Sequence, residues 1–225
     1  MKVLFIGGTG NISTAASRLA LARGVDLFLL NRGEREAELE GAERLRADVA
    51  DPASMRRALE GQRWDVVVNF IAFRPVDVER DIALFAETTR QYVFISSASA
   101  YQKPPRNPLI TESTPLVNPY WDYSQQKIAC EERLLRAYRE QDFPVTIVRP
   151  SLTYDQVLPI ALGGFHDFTL VERMRRGEPV VVHGDGTSLW TLTHSEDFAR
   201  GFLTSRATNG CPGTKSTKSS PEPRA

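Results

Sequence analysis

Two side chains four residues apart hold the clearest chemical promise in this sequence. Tyr123 and Lys127, in Tyr123-Ser124-Gln125-Gln126-Lys127, share one face if the segment is helical. An ammonium beside a phenol favours the phenolate. A free tyrosine titrates near 10, so work as a base near neutral pH requires that ionisation become easier by about 4 kcal/mol. The pair would then trade a proton with a hydroxyl or carbonyl oxygen. The plainer reading is an amphipathic helix with Tyr123 in the core and Lys127 snorkelling to water. Upstream, the apolar run Gln91–Ile95 ends in Ser96-Ser97-Ala98-Ser99-Ala100-Tyr101. Ser97 is placed to hydrogen-bond the oxygen whose proton Tyr123 handles. Serines at such a point also satisfy turn backbone on their own account.

A glycine turn opens the chain. Phe5-Ile6-Gly7-Gly8-Thr9-Gly10-Asn11-Ile12-Ser13 follows an apolar strand and begins a helix. The spacing Gly7-x-x-Gly10-x-x-Ser13 suits a dinucleotide site: Gly7 for the tight turn, Gly10 for backbone approach to a pyrophosphate, and small Ser13 for close helix–strand packing. An ordinary strand-to-helix turn would carry similar glycines. The second strand ends in Leu30-Asn31-Arg32-Gly33, where a NAD site usually has an acid for the ribose 2′-hydroxyl. Arg32 instead suits the 2′-phosphate of NADP, which favours NADP over NAD. Asp48 is a candidate acceptor for the adenine amino group, or a solvated loop aspartate. His166, His183 and His194 lack i+3 or i+4 partners suited to a metal, so no metal is expected. Arg173, Arg175 and Arg176 read as a solvated helix face. Trp64, Trp121 and Trp190 read as packing residues, with Trp121 and Trp190 able to border a substrate.

These residues need elements to hold them. Strands are predicted at Lys2–Ile6, Asp26–Leu30, Glu43–Ala47, Asp65–Ile71, Tyr92–Ser96 and Val145–Arg149. Helices alternate with them at Asn11–Arg23, after the Asp51-Pro52 cap, at Val76–Thr89 and at Tyr120–Gln141. Such alternation calls for an α/β Rossmann-type doubly wound parallel sheet covered on both faces, spanning residues 1–150. Beyond Pro150 the alternation weakens: a helix at Phe165–Arg176, a strand at Val180–Val182 and a helix at Ser195–Leu203. From Thr204 to Ala225 no Val, Ile, Leu, Met, Phe, Trp or Tyr occurs, so a disordered tail is expected.

Bulk composition agrees. The 225 residues carry 28 basic and 28 acidic side chains, with 41% hydrophobic and 25% charged residues. A net charge of zero argues against a strongly basic protein of the nucleic-acid-binding or membrane-surface kind. No run nears the roughly 20 apolar residues of a membrane helix, and the apolar start is too short for a signal-peptide core. Two distant cysteines, Cys130 and Cys211, form neither a disulfide framework nor a zinc pattern. A cytoplasmic protein with a small-molecule substrate is expected.

Taken together, the glycine turn, Asp48-Val49, Phe70-Ile71-Ala72, Ser96–Tyr101, Tyr123-Ser124-Gln125-Gln126-Lys127 and Arg149-Pro150-Ser151-Leu152-Thr153-Tyr154 resemble the extended short-chain dehydrogenase/reductase superfamily, in its NAD(P)-dependent epimerase/dehydratase branch. His183-Gly184-Asp185-Gly186 and Thr193-His194-Ser195-Glu196-Asp197-Phe198-Ala199 extend the likeness to about Leu203. The resemblance implies Tyr123 as acid/base, Lys127 binding ribose and lowering the tyrosine pKa, and Ser97 orienting substrate. It implies cofactor contacts from Gly7, Gly8, Thr9, Gly10, Asn11, Ile12, Asn31, Arg32, Asp48, Val49, Phe70, Ile71, Ala72, Tyr123, Lys127 and Pro150. Relatives of this kind act on sugar-like, often nucleotide-sugar, substrates. Two departures stand out: Ser13 replaces the third glycine, and Asn31-Arg32 replaces the acid. Thr187–Thr191 lacks the basic residue that often meets a sugar-nucleotide phosphate. Residues 151–203 would be a small, truncated C-terminal substrate region. The resemblance also allows a non-catalytic, vestigial cofactor-binding or RNA-binding member, and a homodimer through the helices Val76–Thr89 and Tyr120–Gln141.

Overall fold

Strand β1 (Lys2–Ile6) has buried side chains pointing both ways, Leu4 and Ile6 into one core and Val3 and Phe5 into the other. Such a strand is stable only with helices on both faces. The computed structural model describes residues 1–33, 39–157, 167–182, 184–186 and 191–204. It shows α1 (Ser13–Ala22), β2 (Asp26–Asn31), β3 (Glu43–Arg46), α2 (Pro52–Leu59), β4 (Val66–Asn69) and α3 (Pro75–Phe85). Next come β5 (Tyr92–Ile95), a 3₁₀ turn (Ala98–Ala100), α4 (Asp122–Gln141), β6 (Val145–Val148) and β7 (Leu152–Tyr154). The chain continues through α5 (Thr169–Arg175), β8 (Leu192–His194) and α6 (Ser195–Thr204).

The first six strands form one parallel sheet in the order β3-β2-β1-β4-β5-β6. This is the dinucleotide-binding order, and it reverses between β1 and β4, opening a crevice at their carboxyl ends. Ile6 sits opposite Asn69 in register, so the glycine turn and the Phe70–Ala72 segment leave the sheet side by side. Edge strand β3 exposes Glu43, Arg44 and Arg46, charges that discourage edge-to-edge pairing.

Local chemistry fixes the helix ends. Asp51 Oδ1 accepts from the Ala53 amide at 2.9 Å, with Pro52 at the first position of α2. Asp77 Oδ2 accepts from the amides of Phe73 and Arg74 at 3.0 and 2.9 Å, starting α3. That helix ends at Phe85 rather than Thr89, because the Thr88 and Thr89 amides turn back to the Phe85 carbonyl. The expected strand at Val180–Val182 is absent. Val181 and Val182 are exposed, and β-branched residues favour a strand only where a neighbour packs against them. Instead β7 and β8 pair in parallel as a separate two-stranded sheet. Helix α6 returns to the main sheet: Phe202 meets the rings of Phe5 and Phe70 edge-on at 6.5 and 6.2 Å. Nearly all of the predicted tail, residues 205–225, lies outside the described residues.

Candidate active site

The glycine turn is shaped by contact on both sides. Gly7 has φ +82°, and a Cβ there would stand 2.5 Å from Ile71 Cγ2. Only glycine lets the turn press against the segment leaving β4. Ser13, buried, does more than pack closely. Its hydroxyl donates to the Gly7 carbonyl at 2.7 Å and accepts from the Gly10 amide at 2.8 Å. Gly10, expected to offer its backbone to a pyrophosphate, therefore has its N–H engaged inside the turn. Helix α1 has Ile12 at its N-cap with no side-chain cap, and the Thr14 amide donates to the Gly10 carbonyl at 3.0 Å. Gly8 accepts from Ser17 Oγ at its carbonyl, and Thr9 and Gly10 complete the bend. Asn11 Nδ2 donates to the Thr153 carbonyl at 3.2 Å, tying the turn to β7.

Ser97, Tyr123 and Lys127 converge at the carboxyl end of β5. The Ser97 side chain lies close enough to the Tyr123 phenol to ease its ionisation. Ser97 Oγ also accepts from the Ser99 amide at 3.1 Å, which pins the loop. Lys127 is 1% exposed, and its Nζ donates to the carbonyls of Ala72 and Ile95, each at 2.7 Å. The ammonium lies 4.7 Å from the ring centroids of both Phe73 and Phe94, and 5.7 Å from that of Tyr123. Burial pulls Lys127 down to about 8.

The expected electrostatic lowering of Tyr123 is not what the chain shows. Burial raises its phenol, opposed only by the Ser97 side chain. The ammonium faces two main-chain carbonyls instead of the phenol oxygen. Trp121, read as a packing residue able to border a substrate, is 55% exposed, with its ring 4.8 Å from that of Tyr123, and the Phe73 ring lies 6.2 Å from the same ring.

Other expected residues divide. Ile71 and Ala72 border the crevice, Ala72 through its carbonyl. The ring of Phe70 turns instead into the core, 5.2 Å from Phe5, because it lies on the α1 side of the sheet. Asn31 Oδ1 accepts from the Gly33 amide at 2.9 Å, closing its own loop, and Arg32 is exposed beside it. Asp48 is exposed, with Oδ1 accepting from the Ala50 amide at 2.9 Å. Val49 gives its carbonyl to Arg80 at 2.6 Å, and Pro150 gives its own to the Ala98 amide at 2.9 Å. His194 Nδ1 accepts from the Glu196 amide at 3.3 Å, a capping role. His166, His183 and Trp190 lie outside the described residues.

Three buried polar clusters brace the site and were not read from the sequence. Asn118 Nδ2 donates to the Ser99 carbonyl at 2.8 Å and to Ser124 Oγ at 3.2 Å; Ser124 Oγ in turn donates to Ser99 Oγ at 2.9 Å. This locks the serine loop to the start of α4. Glu131 accepts from Ser96 and from Arg149, whose Nη2 lies 2.6 Å away and whose Nη1 donates to Tyr101. Hydrogen bonds to Glu131 hold Arg149 above its usual range. Asp81, fully buried, accepts from Asn69, from Tyr92 Oη at 2.6 Å and from Arg80 Nε and Nη2 at 2.9 and 2.7 Å. Burial pushes its carboxyl up against the pull of Arg80. Through Asn69 and Arg80 this cluster links the Ile71 amide to the Val49 carbonyl.

A glycine turn at a β1/β4 switch point, with the tyrosine, serine and lysine beside it, has its counterpart in a known family. The NAD dependent epimerase/dehydratase family model matches residues 3–212. The chain belongs to that family. Among curated relatives, it is 26% identical over 204 residues to 2′-dehydrokanamycin reductase of Streptomyces kanamyceticus, covering 88% of this chain and 55% of that protein. It is 28% identical over 217 residues to the chloroplast stem-loop binding protein of 41 kDa b of Arabidopsis thaliana, covering 90% and 54%. The chain thus spans about half the length of these relatives. Among solved structures, dTDP-glucose 4,6-dehydratase of Bacillus anthracis in complex with NAD superposes with a TM-score of 0.73 at 17% identity, over 93% of this chain and 72% of the other. That likeness establishes the family member's Rossmann-type fold. Among the described residues no helix is long and apolar enough to cross a membrane.

Proposed function

We propose that this chain binds NADP(H) in the β1/β4 crevice and acts as an oxidoreductase or epimerase on a hydroxyl or carbonyl carbon of a sugar-like substrate. The observation that carries this reading is the meeting of Ser97, Tyr123 and the Lys127 ammonium at the end of β5. The uncapped α1 terminus and the Gly7 turn fit a diphosphate, and Asn31-Arg32 fits a 2′-phosphate better than a 2′-hydroxyl. A bound nicotinamide would supply or take up the hydride.

The chain's own groups handle the proton. With its phenol raised by burial, Tyr123 is protonated at neutral pH and can donate to a carbonyl oxygen as hydride arrives at that carbon. In the reverse direction the phenolate form of Tyr123, left by that donation, takes the proton of the substrate hydroxyl, hydride leaves the same carbon, and a C=O bond forms. Ser97 hydrogen-bonds the same oxygen. Lys127 has three N–H bonds, two of them on the Ala72 and Ile95 carbonyls, and the third remains for a ribose hydroxyl.

Fluorescence titration of NADPH together with turnover on nucleotide sugars and 2′-dehydrokanamycin tests this reading. Tyr123→Phe is expected to leave NADPH affinity intact and reduce turnover at least about a hundredfold, or about 2.7 kcal/mol in the barrier. Unchanged turnover would remove Tyr123 from the chemistry. A second reading, a binding protein that retains the fold, draws support from the stem-loop binding relative. Tight cofactor binding with no turnover across the panel would favour it.

A further inference from the structure

We propose that Arg46, on β3, is a second cation for the 2′-phosphate of NADP(H) and sets nucleotide selectivity together with Arg32. The proposal rests on the reading that the crevice takes a nicotinamide dinucleotide. Parallel pairing puts Arg46 opposite Asn31, and the Ala47 amide donates to the Asn31 carbonyl at 3.1 Å. The two strand ends that would frame an adenosine ribose are thus fixed by the sheet ladder.

No acid occupies the end of β2. Asn31 is neutral, and its side-chain carbonyl is engaged by the Gly33 amide. Gly33 takes φ +85°, and a Cβ at that position would lie 3.6 Å from Arg46 Nε and 3.9 Å from its Cζ. The guanidinium of Arg46 therefore lies against the turn that presents Arg32. Arg46 is exposed, and among the described residues no carboxylate pairs with it. Two guanidinium groups at the end of β2 and β3 suit a phosphate dianion, which accepts several N–H bonds at once. They offer nothing comparable to the neutral 2′-hydroxyl of NAD(H).

Dissociation constants of NADPH, NADH and 2′,5′-ADP, measured by fluorescence and calorimetry on the wild-type chain and on Arg46→Ala, decide the matter. Arg46→Ala is expected to weaken NADPH and 2′,5′-ADP about tenfold and to change NADH less than about twofold. Arg46→Lys, retaining a point charge, should fall between. Equal weakening of NADPH and NADH would make Arg46 a structural residue and overturn the proposal. So would an unchanged NADPH preference in Arg46→Ala. A wild-type chain that binds neither nucleotide, or both equally, would instead overturn the cofactor reading itself, and Arg46 would fall with it.

Discussion

Helices α4 and α5 both bear many charges, yet they are held by different forces. Helix α4 buries Ser124, Lys127, Cys130, Glu131, Leu134 and Ala137, and its buried polar groups reach into three strands or loops. Helix α5 buries no residue, and among the described residues its charges pair locally, Glu172 with Arg176 at 3.0 Å and Arg173 with Glu178 at 3.1 Å. Exposed pairs of that kind contribute little. The buried α4 side chains around Tyr123 are therefore held by burial and by hydrogen bonds to the strand ends and loops, before any ligand arrives. Helix α5 contributes no buried side chain of its own to that rigidity. Helix α6, by contrast, belongs to the sheet half in energetic terms, through Ala199 and Phe202.

The sharpest way to break this contrast lies under the crevice. Asp81→Ala takes from Arg80 the nearer of its two carboxylates and leaves Tyr92 and Asn69 without their acceptor. Urea unfolding should show a loss of about 3–5 kcal/mol. A loss below about 1 kcal/mol would mean that the cluster does not brace the site.

Titration of Lys127 sharpens it further. Its folded value of about 8 lies below the usual lysine range, so between pH 8 and 10 the unfolded chain holds more protons. The stability of the wild-type chain relative to Lys127→Met should then rise with pH, by at most about 1.4 kcal/mol per unit, and stay flat below pH 8. A flat difference from pH 7 to 10 would argue against a buried ammonium. The smallest effect separates two methionines. Met174→Ala on α5 should change stability by less than about 0.5 kcal/mol, whereas Met55→Ala in the core should cost about 2–5 kcal/mol. Similar losses would show that α5 packs against more than its own neighbours.

The sheet was legible because β1, β2, β4 and β5 are unbroken apolar runs that only a doubly covered parallel sheet can bury. Strands β7 and β8 were not, since three residues are too few to show a period. Val180–Val182 misled for the opposite reason: apolar type without a packing partner. At the site, Ser97, Tyr123 and Lys127 were legible by type and spacing. Asn118, Glu131 and Asp81 were not, because what buries them lies elsewhere in the chain. Glu131 did carry a faint signal, four residues beyond Lys127 on the same stripe of α4. The direction of the Tyr123 shift was missed because spacing says nothing of where an ammonium finds its acceptors.

Lys127 bridges the ends of β4 and β5 through two carbonyl oxygens, and so serves as a rivet of the scaffold. A descendant that abandoned chemistry would still be under pressure to keep it. Tyr123 has no comparable architectural duty and would be free to drift. Under the proposed function, retention of the lysine would therefore say little about turnover, while loss of the tyrosine four residues earlier would mark a chain that no longer catalyses.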